Sequence, residues 1–252
     1  MAPRSRTTSR LAGDGSRAPV IQRNLLLSLL PDSELDALLE HAEEIKPTLR
    51  EIFFELHDAI DRVFFPLTGM ASLVTVLKDG TSLEAMTVGS EGFVGLPLFH
   101  GLKTSPVKAM CQSEGEFYVI PAKSFKEVLA RSPSLQSLLH RYSQFASEVL
   151  TQSAACNAMH LIEQRCARWL LTTSDSIGKT KFNLTQEFLS QMLAVRRPGV
   201  TVAMGALERQ ALISHRYGIV DIIDFEGLKK VSCECYQTIR DRHRDLFSEE
   251  MF

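Results

Sequence analysis

Residues 192–207, MLAVRRPGVTVAMGAL, set two arginines and a Pro-Gly pair at the centre of a helical apolar pattern. One local arrangement reconciles these residues. Thr185 is a natural N-cap for a short helix with apolar face Phe188, Leu189, Met192 and Leu193. The residues AVR then make a turn. Pro198 falls in the first turn of a second helix, where its fixed φ and missing N–H carry no penalty. That helix buries Val200, Ala203, Met204 and Leu207. Its N-terminal end carries Arg196 and Arg197, with Gly199 clearing space and Thr201 offering a hydroxyl. Gly205 costs roughly 1 kcal/mol of helix propensity, and close packing is the expected reason for it.

Such a helix has the attributes needed in a DNA major groove. Its arginines can grip guanine edges, and its N-terminal dipole favours phosphate. After it, the β-rich runs LIS and GIVDIIDF flank a turn with His215, Arg216 and Tyr217. A hairpin following a recognition helix reads as a wing, with His215 and Arg216 at its tip set to meet backbone phosphate. The charge distribution has the matching direction. Up to Gln164 there are 15 Lys/Arg against 19 Asp/Glu, and beyond it 13 against 11. The formal net charge of −2 excludes a uniformly basic nucleic-acid binder, while a basic C-terminal module on an acidic body remains.

Upstream the period changes. Residues 48–121 are short β-rich runs broken by turn residues, and KDG (78–80) between SLVTVL and TSLEAMTV is a hairpin signal. Many short strands at this spacing predict a small antiparallel roll. A helix, PDSELDALLEHAEEI from Pro31, precedes it, with Asp32 or Ser33 as N-cap. From Ser134 to about Arg165 the pattern is helical. Leu135, Tyr142, Val149 and Cys156 fall seven apart, and Leu138, Phe145, Gln152 and Met159 repeat the series three positions on. This a/d seam predicts self-association, helped by a polar Gln152 and the small Ala154-Ala155 pair. A helix packed on its own domain gives a similar stripe.

Residues 1–22 are rich in Arg, Ser and Thr and read as a disordered tail. The most apolar run is far below the roughly 20 residues of a membrane helix, so no membrane partner is expected. The five cysteines form no C-x-x-C pair, and with no secretory core they fit a reducing cytoplasm. Cys233 and Cys235, two apart, would stand about 200° apart on a helix and fail to chelate one ion. No metal site is expected.

Taken in order, the chain resembles the Crp/Fnr family of bacterial transcription regulators over residues 24–228. Its most specific portion, LTQEFLSQMLAVRRPGVTVAMGALERQALI, is similar to the family's LTxxxLAxxLGxSRxTVxRxLxxLxxxGLI. The resemblance implies an α+β chain in four parts. These are a tail (1–22), a cyclic-nucleotide-binding-like β-roll (23–133), a dimerisation helix (134–165) and a winged helix-turn-helix domain (166–252). It also implies a homodimer on an inverted repeat of double-stranded DNA, a partnership with RNA polymerase, and no enzymatic activity. Arg197 takes the place of the base-reading arginine, Arg196 that of the serine before it, and Gln186 that of a phosphate contact. Pro198-Gly199 stands where Glu-Thr is common, and Val202 where a polar or basic reader is usual.

The ligand pocket implied by the resemblance comprises Phe93, Val94, Gly95, Leu96, Lys103 and Thr104. Leu96 replaces the glutamate that would hold a ribose hydroxyl, and Lys103 offers only a point charge where a bidentate arginine is usual. This degenerate pocket predicts no cyclic nucleotide and no cofactor, and leaves the effector open. No cysteine precedes Cys111, which disfavours the family's iron–sulfur sensors. Two rival classes stay open. A cupin-like enzyme needs clustered metal ligands, which His41, His57 and His100 do not supply. A ligand- or protein-binding regulatory module with no direct DNA role would tolerate loss of Arg197.

Overall fold

A computed structural model describes residues 23–247. The tail expected to be disordered lies outside them. The described chain falls into two units, one running to Ala71 and resuming at Val88–His140, the other made of Ser72–Thr87 and the residues from Arg141 onward.

The first unit holds the strand-rich part. Two short helices, α1 (Leu25–Ser28) and α2 (Asp32–Leu39), precede β1 (Glu43–Ile45), β2 (Ile52–Phe54) and β3 (Arg62–Pro66). α2 is entered through Pro31, which makes no side-chain cap. The expected capping by Asp32 or Ser33 is therefore corrected. Asp32 and Glu34 instead occupy the first turn, where their charge complements the helix dipole. The segment read as the end of this helix, Glu43–Ile45, is extended and pairs antiparallel with β7 (Phe117–Pro121), which pairs in turn with β3. β2 runs antiparallel to β6 (Lys108–Ser113), with a register shift between Ile52 and Phe54. Every residue from Val63 to Pro66 is buried, as in a strand covered on both faces. Asn24 holds the entry to the roll by donating to the Pro66 and Gly92 carbonyls.

β4 (Met70–Val76) and β5 (Ser82–Val88) form the hairpin that KDG predicts. Gly80 adopts φ +85°, the left-handed region open to glycine, and Asp79 accepts from Thr81 N–H at 2.9 Å. Most of this hairpin groups with the second unit, where Glu84 accepts from Ser72 Oγ (2.7 Å) and Trp169 Nε1 (2.8 Å). Two more helices of the first unit, α3 (Leu96–Phe99) and α4 (Ala122–Leu129), flank the β6–β7 stretch.

The long helix α5 spans Pro133–Met159, 27 residues. It stops short of the expected end near Arg165, and α6 (Ile162–Ile177) begins separately. No Pro or Gly makes the break. Leu161 is extended and its N–H donates to the Gln164 side chain at 3.1 Å, half of a capping box. His160, at the break, is engaged by Glu234 and Cys235.

The rest of the second unit is a winged helix-turn-helix. β8 (Lys181–Asn183), α7 (Gln186–Met192), α8 (Arg197–Arg209), β9 (Ile213–Arg216), β10 (Ile219–Ile222), α9 (Phe225–Val231) and α10 (Cys235–Leu246) follow α6. The sheet order is β8–β10–β9, antiparallel throughout. Its core joins Leu170 and Leu171 of α6 to Phe188, Leu189, Val200, Met204, Leu207, Val220 and Leu228, all buried.

Candidate nucleic-acid interface

The two helices of the motif are built by local chemistry. Thr185 Oγ1 accepts from Phe188 N–H at 3.2 Å and starts α7. α7 ends at Leu193, and the turn passes through Ala194 at φ +49°. The buried guanidinium of Arg165 donates to the Leu193 carbonyl and so satisfies an orphan acceptor at the helix end. Burial holds Arg165 below its ordinary pKa. Arg196 is the N-cap of α8 and Pro198 lies in its first turn, as the sequence predicts.

α8 has two distinct faces. Val200, Ala203, Met204 and Leu207 are buried. Pro198, Thr201, Val202, Gly205 and Arg209 share the opposite stripe, and all but the half-buried Gly205 are exposed. Arg196 and Arg197 stand exposed at its N-terminal end, and among the described residues neither forms an ion pair. Thr201 Oγ1 lies 2.7 Å from Gln186 Oε1 and 3.1 Å from the Arg197 carbonyl, tying the second helix to the start of the first.

Three sequence readings change here. Gly199 does not clear space outward, because a Cβ on it would stand 3.1 Å from Ile162 Cδ1. Gly205 is not required by close packing, since a Cβ there meets only Arg209 Nη1 at 3.4 Å. His215 is not at the wing tip. Its N–H donates to Glu208 Oε1 (2.8 Å) and its Nε2 lies 3.1 Å from the Leu184 carbonyl. The tip is Tyr217-Gly218, at φ +54° and +74°, a two-residue turn of the type that suits strand twist. Arg216 beside it is exposed, and Tyr217 is 102% exposed. Tyr217, Val202 and Arg209 join the surface without having been singled out as contacts. The residue-Gly pair after a β-rich run is the signal that would find Tyr217.

Sequence comparison matches two domains in order along this chain, a cyclic nucleotide-binding domain over residues 49–132 and a Crp-like helix-turn-helix domain over residues 164–231. The chain belongs to the Crp/Fnr family of transcription regulators. Transcriptional regulator SdrP of Thermus thermophilus is 24% identical over 177 residues, covering 68% of this chain and 84% of that protein. FixK2 of Bradyrhizobium japonicum superposes with a TM-score of 0.64 at 13% identity, covering 76% of this chain and 98% of that one. A Crp/Fnr-family regulator from Eubacterium rectale gives 0.63 at 12% identity, covering 83% and 98%. At these identities the structures speak to the fold alone.

The Crp/Fnr pocket stretch and helix seam are placed differently from expectation. Phe93 and Val94 are core residues. Phe93 stacks on Phe65 with centroids 5.3 Å apart, and Val94 exchanges backbone hydrogen bonds with Phe64. Gly95 at φ +138° lies against Val63, where a Cβ would clash at 2.4 Å. Leu96 opens α3, while Lys103 and Thr104 are exposed. Of the six, Phe93, Val94 and Gly95 are buried, Leu96 is half-buried, and Lys103 and Thr104 are exposed.

The a/d seam of α5 is covered by its own chain. Leu135 and Leu138 are buried in the first unit, and Tyr142, Phe145, Val149 and Cys156 in the second. Phe145 packs on His243 and Phe247, and Gln152 donates to Cys235 Sγ. Only Met159 stands out, at 79% exposure. Intrachain burial and a coiled coil leave the same seven-residue stripe. The exposed stripe of the C-terminal half is instead Ser147, Leu150, Thr151, Ala154, Ala155 and Ala158.

The premise against a metal also falls. Cys233 precedes α10 and Cys235 opens it, so they do not stand 200° apart on one helix. No helix among the described residues is long and apolar enough to cross a membrane.

Proposed function

We propose that this regulator binds an inverted-repeat DNA site as a homodimer, through Arg197 at the start of α8, without requiring cyclic AMP. The carrying observation is the exposed Arg196-Arg197 pair, free of ion pairs, at the N-terminus of a helix whose outward stripe is Pro198, Thr201, Val202, Gly205 and Arg209. Arginine is the commonest specific reader of guanine, and a helix N-terminus is where recognition helices meet base edges. Thr185, Gln186 and Arg216 supply backbone contacts. Tyr217 joins Arg216 at the wing tip, while His215 holds the wing to the motif. Thr201, bonded to Gln186, fixes the angle between the two helices.

Crp/Fnr regulators act as dimers, and the exposed small residues Ser147, Thr151, Ala154, Ala155 and Ala158 of α5 supply the face for a partner helix in place of the buried seam. Two copies of α8 would then enter major grooves about 34 Å apart. The absence of a cyclic-AMP requirement rests on Leu96 and the exposed Lys103, which leave a cyclic phosphate without a buried bidentate partner. We keep the parts 23–133, 134–165 and 166–252, a cytoplasmic site of action and contact with RNA polymerase within the same reading.

The test is selection of bound DNA from a random pool at fixed salt, without nucleotide, followed by Arg197→Ala on the enriched palindrome. A loss of about 1–3 kcal/mol on that site, with random DNA unaffected, is expected. Equal loss on both would make Arg197 a phosphate contact. Enrichment only with a cyclic nucleotide added would refute the ligand-independent part.

A further inference from the structure

Four side chains converge where α5 ends and α10 begins. Cys156 and His160, one helical turn apart, face the same way from the end of α5. Cys233 and Cys235 come from the junction between α9 and α10, with Cys235 at the α10 N-terminus. The Sγ atoms of Cys156 and Cys233 lie 3.5 Å apart, and Cys235 Sγ lies 3.5 Å from His160 Nδ1. All four ligand atoms stand within 4.8 Å of one another. The three cysteines are buried, and the His160 side chain is 17% exposed.

We propose that Cys156, His160, Cys233 and Cys235 form a tetrahedral Cys3His site for a single thiophilic divalent ion of the zinc class.

The distances carry this. Zn–S bonds of about 2.3 Å and Zn–N bonds of about 2.0–2.1 Å put neighbouring ligands of a tetrahedron about 3.8 Å (S–S) and 3.6 Å (S–N) apart. Both short approaches here fall within a few tenths of an ångström of those edges. In a multi-iron cluster the ligands are divided among two or more irons, and those on different irons stand further apart than the 4.8 Å that encloses all four here. The surroundings fit as well. His160 presents Nδ1 to the ligand set and Nε2 to the Glu234 carboxylate at 3.2 Å, the carboxylate–histidine arrangement that orients a metal-bound imidazole. Gln152 Nε2 donates to Cys235 Sγ at 3.0 Å. Three thiolates on a divalent ion sum to −1, and the Arg168 guanidinium bears on Cys156 and Cys233 with the opposite sign. A closed four-ligand site with no free position holds structure. This one staples α10 to the end of α5, beside the break that separates α5 from α6.

The test uses the full chain, purified in reductant and titrated with cobalt(II) as a spectroscopic stand-in for zinc. One cobalt per chain is expected, with thiolate-to-cobalt charge transfer and the intense d–d absorption of a tetrahedral site. Cys235→Ser and His160→Ala are expected to weaken binding at least tenfold, and Cys166→Ser, whose thiol lies outside the cluster, to leave it unchanged. His160 is partly exposed, so its variant keeps the test alive should Cys235→Ser fail to fold. A reduced wild-type chain with no tetrahedral cobalt spectrum overturns the site. So does a spectrum that persists in both variants, or a Cys156–Cys233 disulfide as the sole product under the same conditions. No DNA is present in the assay, so its failure is separate from failure of the DNA-binding reading.

Discussion

Replacing Gly205 by alanine separates what α8 needs for folding from what it needs for DNA. Gly205 sits in the helix interior, and a Cβ added to it stands 3.4 Å from the end of the Arg209 side chain, an ordinary contact. No packing term opposes the change. The full glycine-to-alanine difference in helix propensity, about 0.8–1 kcal/mol, should therefore appear as added stability. For a chain of this size that corresponds to about 2–4 °C in Tm. The same methyl projects from the stripe shared with Pro198, Thr201, Val202 and Arg209, which faces DNA in the proposed complex. One methyl enters each half-site, and a cost of about 1.4 kcal/mol is already tenfold in Kd. Calorimetric melting and fluorescence anisotropy on the selected palindrome would read the two effects. Higher Tm with at least tenfold weaker binding is the expected pair. A lower Tm would show Gly205 to be packed after all. A higher Tm with unchanged affinity would remove the stripe from the DNA interface.

Leu189 is 0% exposed between the motif helices, so Leu189→Ala should cost about 2–5 kcal/mol in urea unfolding, and a cost under 1 kcal/mol would mean the motif core relaxes freely. Burial raises the Glu84 carboxyl above its ordinary pKa. The folded state thus holds more protons than the unfolded chain above the ordinary carboxylate range, and stability falls as pH rises through the window. Glu84→Gln keeps acceptor and donor for Trp169 and Ser72. It should raise Tm at pH 7 and change nothing at acid pH, whereas a loss at pH 7 would show the carboxylate itself to be favourable. His243 behaves oppositely. Burial first, and the charge of Arg240 second, hold it below its ordinary pKa, so its contribution is present above about pH 6.5 and lost as pH falls. His243→Leu, between Phe145 and Phe247, should flatten the Tm profile from pH 8 to 5, and an unchanged slope would place the titration elsewhere.

What is legible in the sequence is what local chemistry decides. Thr185 caps α7 through its own hydroxyl, Pro198 needs no partner in a first turn, and Asp79-Gly80 closes its hairpin within four residues. The site residues depend on neighbours far along the chain and read less well. His215 has the composition of a phosphate contact, but Glu208 and Leu184 claim it. Phe93 and Val94 occupy family pocket positions, yet their side chains fill the roll core. The α5 seam has the period of a coiled coil because any one-sided burial imposes it. The cysteine cluster is invisible to spacing rules, since 77 residues separate Cys156 from Cys233 and the ligands meet only when α10 docks. The break after Met159 shares that origin, with Gln164 as its only local signal.

The grouping of residues 72–87 with the second unit bears on how this protein can be taken apart. The chain crosses between units at 71/72, 87/88 and 140/141, so no single cut yields both. A fragment starting at Arg141 leaves Glu84 behind and strands the Trp169 indole N–H on α6. Chimeras that exchange the C-terminal part between relatives must therefore carry the 72–87 hairpin as a second graft, or inherit an α6 that has lost its acceptor.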